Sequence, residues 1–93
     1  MPETIYIDSM PQIRLVILDV ILNKGKIFDE INKKLEEKGF SFKEEKNDDV
    51  WHFFRFTKKQ EFHFNQLDNA EKIIESDIGK CLDCNVRVKL SEV

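Results

Sequence analysis

Along this chain the spacing of hydrophobic residues switches between a period of two and a period near four, and each switch marks a predicted element. The densest apolar stretch is Val50–Gln66, VWHFFRFTKKQEFHFNQ, which holds six of the ten aromatic residues. Two runs rich in residues that suit a pleated surface, Val50–Thr57 and Gln60–Gln66, flank Lys58-Lys59 and together read as a β-hairpin. Lys58-Lys59 lacks the Asn-Gly or Gly-X of a tight primed turn, so the register rests on pairing Thr57 with Gln60. That pairing puts Trp51, Phe53, Arg55, Phe62 and Phe64 on one face and His52, Phe54, Phe56, Glu61, His63 and Asn65 on the other. The first set is the expected core; the second, aromatics mixed with titratable groups, is the expected open face. A slip of one residue exchanges the faces.

The rest of the pattern supplies partners for this hairpin. Thr4–Asp8 alternates as a short strand and stops at Ser9-Met10-Pro11. Ile13–Leu22 is β-branched and nearly all apolar; Ile13, Val16, Ile17, Val20 and Ile21 also share a helical stripe, but so short a run reads as a strand. Asn23–Lys26 breaks it. Lys26–Lys38 is an amphipathic helix with Ile27, Phe28, Ile31 and Leu35 on one stripe, closed by Gly39 and a Schellman-type return of Phe40 onto Leu35. Phe40–Lys46 then reads as a short strand and Asn47-Asp48-Asp49 as a turn. Asp68 and Glu71 have the spacing of a capping box ahead of a second helix, Asp68–Ile78, that Gly79 terminates. Cys84, Val86, Val88 and Leu90 alternate with Asn85, Arg87 and Lys89 in a half-buried final strand. The sum is a single α+β domain, two helices packed on one face of an antiparallel-rich sheet of four to six strands, with the other face open.

Composition narrows function by exclusion. Charged residues of both signs make up 35% of the chain and the net charge is −3, which argues against a general polyanion binder. The longest apolar run, Leu15–Leu22, is broken by Asp19 and falls short of a membrane span, so no membrane partner is expected. Met1–Ser9 lacks the basic start of a signal peptide, and two cysteines, Cys81 and Cys84, make no disulfide framework, so a cytoplasmic protein is expected.

Phe64-Asn65-Gln66-Leu67-Asp68-Asn69-Ala70-Glu71-Lys72 resembles the passage from the third strand into the second helix of RNA-recognition-motif domains. Gly79-Lys80-Cys81-Leu82-Asp83-Cys84-Asn85-Val86-Arg87-Val88 is similar to that family's passage into its last strand, and the spacing from Gly39 to Phe64 suits the family too. The resemblance implies a ferredoxin-like, RRM-like fold whose sheet stacks bases on aromatics at the third and fifth positions of the strand-three motif. Anchored on Phe64, those positions are Lys59 and Glu61; anchored on Asp49–Phe56 they are Trp51 and Phe53, with Gln60–Gln66 as an insertion. Ile5-Tyr6-Ile7-Asp8-Ser9-Met10-Pro11 looks like the family's first-strand motif, but lies upstream of where the Phe64 spacing puts it.

Cys81-Leu82-Asp83-Cys84 has the spacing of a redox or zinc pair. Redox pairs use a helix N-terminus to stabilise the thiolate, whereas this one follows a helix. Zinc needs two more ligands, which here means His52 and His63 in an unusual order. Both cysteines therefore read as ordinary, and neither metal nor cofactor is expected. In the register above, His52 and His63 are diagonal neighbours beside Glu61, the acid and base of a metal-independent RNA cleavage. No pocket signature accompanies them, so an enzyme is the third reading and a non-catalytic role is preferred.

The first reading is a small acidic protein-binding module, such as a stoichiometric inhibitor, an immunity-type protein or a complex subunit, because an aromatic sheet face is interface material. Edge-strand pairing would add a homodimer. The second is a degenerate single-stranded RNA binder. For both, the expected contacts are Phe54, Phe56, His52 and His63, with Arg87 and Lys89 for phosphates in the RNA case.

Overall fold

The computed structural model describes residues 11–21, 28–47 and 52–93, apart from the side chain of Phe64. The expected strand Thr4–Asp8, the break at Asn23–Lys26, the turn at Asp48-Asp49 and the face of Trp51 lie outside the described residues.

The chain runs from strand β1 (Gln12–Ile21) through helix α1 (Phe28–Glu37) to strands β2 (Ser41–Asn47) and β3 (His52–Phe62). A 3-10 turn at Phe64–Gln66 then leads into helix α2 (Leu67–Leu82) and strand β4 (Asn85–Glu92). The strands form one antiparallel sheet in the order β2-β3-β1-β4, and both helices pack on the same face. β1 holds a central place because it is apolar at almost every position: Val16, Leu18 and Val20 reach 0% exposure beneath the helices. Ile31 and Leu35 of α1 and Ala70, Ile78 and Leu82 of α2 close over them. Each large side chain so buried contributes roughly 1.5–3 kcal/mol.

The helix ends follow local chemistry. Gly39 sits at φ +90°, and the Phe40 N–H donates to the Leu35 carbonyl at 3.0 Å, the Schellman closure that turns Phe40 into the core. α2 runs past Gly79 to Leu82, contrary to the expected stop. Gly79 lies inside the helix, where an added Cβ would be in ordinary contact with the Cys84 carbonyl oxygen at 3.4 Å. Asp83, at φ 53°, makes the left-handed exit. Nor does Glu71 form the expected capping box: α2 begins after Gln66, without a side-chain cap, and Glu71 is used elsewhere.

The hairpin expected within Val50–Gln66 does not form. β3 continues straight through Lys58-Lys59, paired with β1 from Gln12↔Phe62 to Ile21↔Phe53. Neither lysine suits the positive φ that a tight hairpin turn requires, whereas β1 offers an unbroken partner edge. In one continuous strand the alternation of faces is also continuous, so Phe54, Phe56 and Phe62 share a face, at 7%, 0% and 6% exposure. Phe54 and Phe56, expected on the open face, are core; Phe53 and Arg55, expected in the core, lie on the open face. The hairpin that does form joins β2 to β3, with a bulge between Phe42 and Glu44.

Candidate binding face

Among the described residues no element covers the second face of the sheet. Its axis is β1, whose Leu15, Ile17 and Ile21 are half-buried and whose Ile13 is 49% exposed. Phe53 lies opposite Ile21 and widens the apolar strip. Asp19 interrupts that strip and is answered from β3: Arg55 donates from Nε to Oδ1 at 2.8 Å and from Nη2 to Oδ2 at 3.0 Å, a two-pronged pair that fixes both side chains. The hydrogen bond to Asp19 raises the guanidinium's pKa above its ordinary value, and partial burial opposes this only in part. The same guanidinium stands 5.7 Å from the Phe53 ring centroid and 4.0 Å from Glu44 Oε1 on β2. On the far side Arg87 of β4 pairs in register with Asp19. The sheet thus carries a row of alternating charge, Glu44, Arg55, Asp19 and Arg87, one residue per strand. A depression of about 500 Å³ opens beside it over Ile17, Arg87 and Lys89.

The sequence-derived candidates are scattered. Arg87 and Lys89 are exposed on the open face, as expected of the last strand. His52 begins β3 on the helix-covered side, near the β2 edge, with Nε2 3.0 Å from Glu45 Oε2 and its ring against Phe54. His63 lies beyond the other end of β3; its N–H donates to Gln66 Oε1 and its carbonyl accepts from the Gln66 N–H, both at 2.9 Å. At about 3.3 Å per strand residue the two histidines are roughly 35 Å apart, so they form neither a catalytic pair nor half of a zinc site. A straight strand separates what the hairpin register would have joined. Glu61 and His63 do line one hollow, about 720 Å³, between the end of β3 and α2. Cys81 is exposed in the last turn of α2, and the Cys84 thiol donates to the Leu82 carbonyl at 3.4 Å. Among the described residues no three His, Cys, Asp or Glu side chains are grouped to hold a metal, and no helix is long and apolar enough to cross a membrane.

Two features were missed by reasoning on sequence. The Asp19–Arg55 pair had a signal: a lone carboxylate in the middle of an apolar strand demands a cation from a neighbouring strand. The second is the treatment of the β4 edge, where Glu75 accepts from the Val88 N–H at 2.9 Å and Glu71 from the Leu90 N–H at 2.8 Å. These carboxylates occupy backbone donors that an edge strand would otherwise offer to another chain. No family model, no curated protein and no solved structure matches the chain.

Proposed function

We propose that this chain is a non-catalytic protein-binding module whose interface is the open sheet face, centred on Phe53, Ile21 and Ile17. The observation that carries this reading is the union of an apolar strip with a guanidinium already neutralised by Asp19. Such a centre gives contact area and desolvates without leaving an unpaired charge, which suits a protein surface. The element order and the strand order β2-β3-β1-β4 support a ferredoxin-like reading of the fold, in which this face is free for a partner.

A single-stranded RNA ligand is the second reading, favoured by Arg87 and Lys89 on the same face as Phe53. Against it stands the burial of Phe54 and Phe56 in the core; of the two anchorings of the family resemblance, the one on Phe64 puts Lys59 and Glu61 where aromatics are called for, and the one on Asp49–Phe56 puts Phe53 there. A photo-crosslinking amino acid placed at position 53, with a control at exposed Ile73, tests the choice in cells. A nuclease-resistant protein adduct at 53 and none at 73 is the expected result. An adduct removed by nuclease would transfer the face to RNA, and protein adducts only at 73 would move the interface to α2.

A further inference from the structure

We infer that the partner of the open face is a second copy of this chain, docked face to face about a two-fold axis parallel to the strands. This inference rests on the protein-binding reading above and names its partner. The row Glu44, Arg55, Asp19, Arg87 reads minus, plus, minus, plus across β2, β3, β1 and β4. A two-fold axis running along the strands, midway between β3 and β1, sets β2 of one copy over β4 of the other and β3 over β1. The row then meets its own reversal. Glu44 faces Arg87 of the second copy, Arg55 faces Asp19, and both contacts occur twice, as in any isologous interface. An axis across the strands and over the row would instead set every member against itself, like charge on like charge, so the charge order favours the axis along the strands.

The apolar positions agree with that choice. Under the same axis Phe53 covers Ile21 of the second copy and Ile21 covers Phe53, next to the charge row, while Ile17 meets Thr57. Arg87 makes no ion pair among the described residues, and it is the member of the row for which the copy supplies a carboxylate. The roughly 30° offset usual between packed sheets displaces the ends of the row by only a few ångströms, within reach of a glutamate and an arginine. With about 3.3 Å per residue and about 4.8 Å between strands, four strands and the length of β1 give a face of roughly 600 Å² per copy. A pair buries roughly 1,200 Å², the lower end for a specific interface, so a reversible dimer is expected rather than an obligate one. The β4 edge is an unsuitable alternative, because Glu71 and Glu75 already occupy the Leu90 and Val88 N–H groups.

The test is sedimentation velocity across a concentration series for wild type, Glu44→Lys and Arg87→Glu, with circular dichroism to verify that each variant is folded. Wild type is expected to show a monomer–dimer equilibrium. Each variant alone sets like charges together twice and is expected to weaken it about ten-fold or more. An equimolar mixture of the two variants restores opposite charges at both contacts, and dimer is expected to return to near the wild-type level, as it should for the double variant Glu44→Lys/Arg87→Glu. Dimers of undiminished affinity in both single variants, or a mixture no stronger than its components, would overturn the proposed geometry. A wild type monomeric at every concentration would overturn self-association altogether. If position 53 still crosslinks to a different protein in that case, the protein-binding reading stands and only this inference fails.

Discussion

On β3, Phe54 and Phe56 enter the core while Phe53 and Arg55, their neighbours in sequence, form the open face. Aromatic content does not separate these faces, since both carry phenylalanine. The facing strand separates them. Val16, Leu18 and Val20 of β1 line up beside Phe54 and Phe56 under two helices, whereas the other face of β1 carries Asp19, which pairs with Arg55. Here the face that two helices cover is core where its cross-strand neighbours are apolar, with Lys58 at its margin opposite Val16, and the other face carries its charge, Asp19, in the middle of β1.

The comparison breaks most visibly under truncation. Phe56→Ala, at a position with 0% exposure, should cost roughly 3–5 kcal/mol in chemical denaturation, enough to unfold a marginal small domain. Phe53→Ala should cost below about 1 kcal/mol, because it uncovers a half-wet surface without leaving a cavity. Equal losses would erase the division of faces.

Asp19→Ala removes the partner of Arg55 from a partly buried site, with side-chain exposures of 19% and 30%, and should cost about 1–2 kcal/mol. Replacing both residues with leucine should recover most of that, because no charge is left without a partner. A double-mutant cycle in urea measures the coupling, and a coupling near zero would demote the pair to a passive surface contact.

Smaller still is the β4 edge. Glu75→Ala should cost about 1 kcal/mol and speed hydrogen exchange at the Val88 amide, with a parallel effect of Glu71→Ala at Leu90. Unchanged exchange rates would mean that the carboxylates do not guard the edge.

Lys58 probes the covered face. Its Nζ lies 4.7 Å from the Phe40 ring centroid and donates to the Lys38 carbonyl at 3.2 Å. Burial, with a lesser push from the charge of Lys38, lowers its pKa below the ordinary 10.5. Fewer protons are then bound in the folded state, so the cost is fully present at neutral pH and fades as pH rises from the folded pKa towards 10.5. Wild type should therefore be least stable relative to Lys58→Met at pH 7, with any gap in favour of the variant narrowing in alkali. Urea melts at the two pH values check this, and a gap that widens in alkali would reverse the sign.

Much of the fold was legible in the sequence because its signals are local. The stripe of Phe28, Ile31 and Leu35, the Gly39–Phe40 closure and the alternation of Val86, Val88 and Leu90 each depend on residues within a turn or two. The faces of β3 were not legible in the same way. They depend on whether the strand turns at Lys58-Lys59, and that is settled by β1, some forty residues upstream. A turn there puts Phe54 and Phe56 on the open face and brings His52 and His63 together, whereas the continuous strand buries the first pair and separates the second. The candidate site inherited the error, and only Arg87 and Lys89, set by the alternation of β4, kept their expected positions.

The most direct test of the open face as the docking surface is an isotope-filtered NOE experiment on a mixture of labelled and unlabelled chain, which records contacts between copies alone. Cross-peaks are expected from the Ile21 and Ile17 methyls of one copy to the Phe53 ring and Thr57 of the other. Intermolecular peaks arising instead from Phe42 at the β2 edge or Ile73 on α2, with none from Phe53, would contradict it.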